Sequence, residues 1–204
     1  LPASQSSAAT AIVRDGGTLQ LGNVTYRLDG IEAPTVDQLC IDQNADSWTC
    51  GIEARDQLTK LVGGKQVRCD DLGSDPAYKK RRIGACKIEG DTTSLSQLLV
   101  RNGFALNVEA STAGRFKVDE ARAKDDRQGL WKGCFVAPRE FRAGKKDAAL
   151  LGASCRADRD RETRLWRAPN VSCRSRARTR REREIRCKRV ARAGSLRCAA
   201  RRMY

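Results

Sequence analysis

Apolar and polar positions alternate with a period of two over the first part of the chain and then switch to a helical period. Apolar residues open the pattern at 11–13, Asp15-Gly16-Gly17 supplies turn chemistry, and Thr18-Leu19-Gln20-Leu21 alternates. This predicts a hairpin. Gly22-Asn23 makes a second turn, and residues 24–28 alternate again and run into Ile31 before Pro34 ends them, so three short strands are expected in a meander. Residues 35–49 are polar, have no period and hold Cys40 and Trp48, which predicts a long loop of the kind that carries function. From Gly51 onward Ile52, Ala54, Leu58, Leu61 and Val62 recur every three or four residues, and Gly63-Gly64 closes the run, predicting a helix over 51–62. Residues 66–69 and 82–88 read as strands on either side of a polar loop. A second helix opens at Ser94 and stops near Gly103, and a third, strongly charged, covers 117–127. Five strands with a helix after the third predict a mainly β domain with flanking helices, a small barrel.

Composition narrows the chemistry. The 204 residues contain no His, which removes imidazole proton shuttles, Ser-His-Asp and Cys-His triads and His-ligated zinc. Any reaction must run on carboxylates, Arg, Lys, Tyr or Cys. The net charge of +15 is concentrated rather than spread. Residues 1–163 carry only +2, and the last 41 residues carry +13, with 14 Arg among their 15 bases. Overall basicity is therefore no argument that the folded part binds nucleic acid; local evidence is needed. The organisation expected is a flexible start over 1–9, one domain over 10–142 and an Arg-rich extension over 143–204. Within the extension, Glu182 with Arg186 and Glu184 with Lys188 suit a short helix near 179–193. The extension reads as a nucleic-acid arm, a disordered solubilising tail or the product of a shifted reading frame.

Nine cysteines occur without a CxxC pair; the nearest two, Cys40 and Cys50, are ten positions apart. That spacing argues against zinc and excludes CxxC redox chemistry. Disulfides in an oxidising compartment are expected instead. Cys69 and Cys86 would face each other if their two strands pair antiparallel, and a Cys40–Cys50 bridge would pin the long loop, adding about 2 to 3 kcal/mol by the chain-entropy argument. The start LPASQSSAAT is small and polar, as after signal-peptide removal, so a secreted or periplasmic protein is expected. No apolar run approaches the ~18 residues of a membrane span. Oligomeric state is not legible.

Six segments occur in a telling order: VRDGGTLQL (13–21), YRLDGIEAP (26–34), CGIEARDQLTKLV (50–62), YKKRRIGACKI (78–88), SLSQLLVRNGFA (94–105) and EARAKDDRQGLW (120–131). Together they resemble staphylococcal-nuclease-like domains, the thermonucleases, over residues 10–142. The resemblance implies an α+β chain built on a five-stranded OB-fold barrel with about three helices, in a class known for binding oligonucleotides. It also implies phosphodiester hydrolysis in which carboxylates hold Ca²⁺, a Glu activates water and two Arg clamp the phosphate.

Carried over residue by residue, the phosphate clamp falls on Arg27 and Arg81, with Arg82 beside it leaving the second assignment open by one position. The carboxylates depart from the pattern. The family's DGDT reads DGGT, so a metal ligand becomes Gly17, while Asp15 remains; in the next motif the metal-binding Asp becomes Glu32. The general-base Glu becomes Thr35, whose hydroxyl is no base near neutral pH, and loss of a general base costs roughly 10²- to 10⁴-fold. Asp29 and Asp37 lie close enough in sequence to be substitutes, Asp37 as a displaced base. Calcium binding is expected to be weakened. Three readings result: a nuclease-like protein with a degenerate site that binds nucleic acid or another polyanion, an active Ca²⁺-dependent phosphodiesterase using displaced carboxylates, and a structural or partner-binding module. Trp131 and Phe135 read as core, and aromatics at 5% offer no stacking platform.

Overall fold

The computed structural model describes residues 9–44, 46–145 and 148–152; the predicted helix near 179–193 and the rest of the Arg-rich extension lie outside them. The main sheet is built from β1 (Ala9–Thr10), β2 (Ile12–Asp15), β3 (Thr18–Leu21) and β4 (Val24–Leu28), then, beyond short pairings at β5 (Ile31–Glu32), β6 (Cys40–Ile41) and β7 (Ser47–Trp48), from β8 (Gln66–Ser74) and β9 (Arg81–Ile88). Its order is β1-β8-β9-β4-β3-β2. The two outer strands, β1 and β2, are separated in the chain by Ala11 alone, so the sheet's ends are brought together and it forms a nearly closed barrel. This is the expected OB-type architecture: the five anticipated strands are present, with β1 added as the closing edge.

The reasons are local. Asp15 and Thr18 pair at the Gly16-Gly17 turn, just beyond a bulge between Val13 and Asp15, and β3 pairs with β4 through Leu19 and Tyr26. Leu19 and Leu28 point inward and are fully buried with Val67, Cys69, Cys86 and Ile88. α1 (Cys50–Val62) ends where Gly63 takes a left-handed φ of 31° and its N–H reaches Thr59 O at 2.9 Å, a C-cap that a side chain would strain. α2 (Leu95–Arg101) begins where the Ser94 side chain accepts a hydrogen bond from the Gln97 N–H at 3.1 Å. Leu58, Leu95 and Leu99 from these helices complete the barrel core.

β10 (Leu106–Asn107) pairs with β5, and α3 (Glu109–Thr112) and α4 (Lys117–Asp125) follow. A 3₁₀ turn, Gly129–Lys132, carries Trp131 edge-to-face against Phe135 at 5.1 Å, and both rings are buried in a second core with Cys40 and Cys50. After β11 (Phe135–Val136) comes α5 (Pro138–Arg142), and β12 (Leu150–Leu151) returns to pair with β11, so packed structure continues past residue 142.

Both anticipated bridges are present. Cys69 and Cys86 sit directly opposite in the β8–β9 ladder and are bonded, and Cys40–Cys50 ties the long loop to the start of α1. Cys134 is disulfide-bonded as well. The loop itself is ordered by a two-residue ladder, Cys40 opposite Trp48 and Ile41 opposite Ser47, which its sequence did not announce.

Candidate functional site

Arg27 and Arg81 stand on adjacent parallel strands. Thr25 of β4 is the register partner of Arg81 on β9, and Arg27 is two residues further along, so alternation puts both side chains on one face. Their offset along the strands is about 6.6 Å at the usual rise per residue. Arg81 is braced from behind: its Nε donates to Asp75 Oδ2 at 2.6 Å, and its guanidinium lies 4.5 Å from the centre of the Tyr78 ring. Asp75 has 0% side-chain exposure. Burial pushes its carboxyl up, but the Ala77 N–H, the Arg81 hydrogen bond and the charges of Arg81 and Arg27 together outweigh this and hold its pKa below the ordinary carboxylate value. Arg82 projects elsewhere, donating to Asp71 Oδ2 at 2.6 Å and to Ser74 Oγ at 3.2 Å. Arg81 thus lines the cleft with Arg27, and Arg82 is not among its lining residues.

The opposite wall comes from the β2–β3 turn, β5 and the start of the long loop. Asp15 lines the cleft, with its Oδ1 accepting the Gly17 N–H at 2.8 Å. Gly17 offers no side chain, yet a Cβ there would lie 3.4 Å from the Ala33 Cβ, ordinary contact, so the position has room for one. Glu32 is held from two sides. Its Oε1 meets Arg27 Nη2 at 3.4 Å, and its Oε2 accepts from Arg142 Nη2, while Arg142 Nη1 donates to the Ala33 carbonyl at 3.3 Å. Thr35 lines the same wall, and its Oγ1 is buried with no hydrogen-bond partner among the described residues. Its backbone is pinned by α1: a Cβ on Gly51 would overlap the Thr35 carbonyl oxygen, so only glycine lets the helix approach this closely.

Two candidates lie apart from this cluster. Asp37 is exposed and does not line the cleft. Asp29 is paired with Arg115 at 2.8 Å and borders a smaller neighbouring cavity of about 280 Å³. Among the described residues no group of three or more Asp, Glu or Cys side chains is gathered as a metal ion would require. Calcium takes six to eight oxygens. The donors left here, one Asp already bonded to a backbone N–H and one Glu bonded to two guanidinium groups, do not fit it.

Residue-level reading of the sequence missed Arg139 and Arg142. Both line the cleft, whose volume is about 610 Å³, and with Arg27 and Arg81 they outnumber the lining carboxylates by two charges. A signal was present: Pro138 occupies the first turn of a helix, and two Arg three apart share one helical face. Five residues are too few for a periodicity to show which way that face points.

A barrel with a guanidinium-rich, carboxylate-poor cleft at its mouth defines an OB-type, nuclease-like protein. Residues 25–133 match the family of staphylococcal nuclease homologues, and the chain belongs to that family. It is also similar to the succinoglycan biosynthesis protein ExoI of Rhizobium meliloti (strain 1021), 25% identical over 131 residues that make up 64% of this chain and 67% of that protein.

Proposed function

We propose that this chain binds phosphodiester polyanions, nucleic acid first among them, in the cleft of a staphylococcal-nuclease-type barrel, and that it hydrolyses them weakly or not at all. The observation that carries this reading is the state of Glu32: the carboxylate at the family's metal position is bonded to Arg27 and Arg142, while Gly17 and Thr35 supply neither a second ligand nor a base. A guanidinium binds a phosphate without any proton transfer, so the clamp functions without the lost groups. The disulfides support a secreted or periplasmic setting, and no helix among the described residues is long and apolar enough to cross a membrane. The rhizobial relative is named for the biosynthesis of a glycan, which makes an anionic polysaccharide the polyanion to set against nucleic acid.

The test is fluorescence-anisotropy titration of a short single-stranded DNA, with dextran sulfate as the polysaccharide competitor. Salt is raised until the +13 tail contributes little. Arg27→Ala or Arg81→Ala should weaken binding roughly 10- to 100-fold, the worth of a charge-assisted hydrogen bond. Arg82→Ala should leave it unchanged. Calcium-stimulated cleavage of the same DNA by the unaltered protein would overturn the reading.

A further inference from the structure

We propose that Arg142 supplies, from within the chain, the positive charge that the family's cleft takes from calcium, so that phosphate binding here is independent of a divalent ion. This inference rests on the reading of the cleft given above.

Two oxygens on the carboxylate wall face the same cation. Glu32 Oε2 stands at the position of the family's metal carboxylate, and the Ala33 carbonyl oxygen lies one residue on. Both are acceptors on the same wall, and one group meets both: Arg142 donates through Nη2 to Glu32 and through Nη1, at 3.3 Å, to Ala33. A cation flanked by a carboxylate and a backbone carbonyl in an arginine-lined cleft of about 610 Å³ is the arrangement a metal ion would make; here the cation is a guanidinium. A guanidinium has five N–H donors, of which these two contacts use two. The remainder can meet phosphate oxygens beside Arg27, which shares the same carboxylate.

The charge count agrees. Arg27 and Arg142 together bring two positive charges to the single negative charge of Glu32, Arg81 is balanced separately by Asp75, which does not itself line the cleft, and Arg139 is offset in the count by Asp15. One uncompensated positive charge is therefore held where a bound anion would lie. Arg142 comes from α5, outside the stretch 25–133 that matches the family, so the replacement is supplied by a part of the chain the family match does not include. With 38% side-chain exposure Arg142 is not a core residue, and replacing it tests the cleft without endangering the fold.

The experiment compares the full chain with Arg142→Met, which keeps length and removes charge, and Arg142→Lys, which keeps charge. A fluorescein-labelled oligothymidylate is titrated in EDTA and in excess calcium, and calcium alone is followed by calorimetry. The wild type should bind equally well in EDTA and calcium and give no calcium heat. Arg142→Met should bind about tenfold more weakly in EDTA, the scale of one charged hydrogen bond, and regain part of the loss with calcium, now able to reach Glu32 and Ala33. Arg142→Lys should stay within about threefold of wild type, the fork geometry being lost but the charge kept. Calcium uptake by the wild type that tightens DNA binding would overturn the proposal. So would wild-type affinity in Arg142→Met, or equal losses in the Met and Lys variants. If Arg27→Ala and Arg81→Ala still weaken binding in that case, the cleft remains the binding site and only the role of Arg142 fails; if they do not, the cleft itself is the wrong site and both readings fall.

Discussion

Arg27 and Arg81 stand on neighbouring strands in the interior of the sheet, whereas Gly17, Glu32 and Thr35 sit on a turn, a two-residue strand and the start of a loop. The guanidinium spacing is a by-product of the register that buries Leu28 and Cys86, so it holds as long as the barrel does. The carboxylate wall is held differently, by the two-residue β5–β10 pairing and by the close approach of α1 to the Thr35 backbone. Its side chains can change without disturbing the core, as the ordinary van der Waals contact around a Cβ at Gly17 illustrates. On the proposed reading, grip and chemistry are therefore separable, because they rest on different kinds of structure.

The sharpest way to break the contrast is to rebuild the weak wall. Gly17→Asp with Thr35→Glu restores the missing ligand and base, and on the account of Arg142 given above it should remain inert until Arg142→Ala is added. The triple variant should then cleave single-stranded DNA in calcium about 10²-fold or more above the unaltered protein, the usual return on a positioned base. Equal rates with and without the Arg142 change would show that α5 does not occupy the cation's place.

A smaller effect comes from loosening the loop that holds Thr35. Replacing Cys40 and Cys50 with Ala should lower unfolding stability by about 2.7 kcal/mol on the entropy argument, measured by urea denaturation. DNA binding at low temperature should change little, because the strand-borne arginines are untouched. A loss of binding as large as that of Arg27→Ala would mean the two walls are coupled after all.

Smallest is the acid response of the brace behind Arg81. The Asp75 pKa is depressed in the folded chain, so its contribution is present above the unfolded value near 3.9 and is lost as pH falls through the lower folded value. Asp75→Asn should cost about 2 kcal/mol at neutral pH and flatten the fall in stability below about pH 4. An unchanged acid limb would remove Asp75 from the account of the clamp.

The barrel was legible because its signals are local: alternation at 18–21 and 24–28, a three-to-four period through α1, and two cysteines that meet only in one register. Arg27 and Arg81 were legible through the motifs around them. Arg142 was not, since its proposed role depends on where a five-residue helix lies relative to Glu32 and Ala33, more than a hundred positions away. The ladder inside 35–49 was hidden for a related reason. Two-residue strands carry no period, and this one is fixed by the Cys40–Cys50 bond and by the hydrogen bonds between Ile41 and Cys134.

One stretch of chain, interrupted only at Ala11, furnishes both margins of the barrel. Proteolytic trimming just before Ile12 would thus do more than shorten a terminus: it would strip the backbone partner from Gln66 and Val67 and leave a bare edge open to strand donation from a second molecule. The pairing of Ala9 and Thr10 with Val67 and Gln66 then governs whether this margin of β8 stays covered or takes a strand from a neighbour.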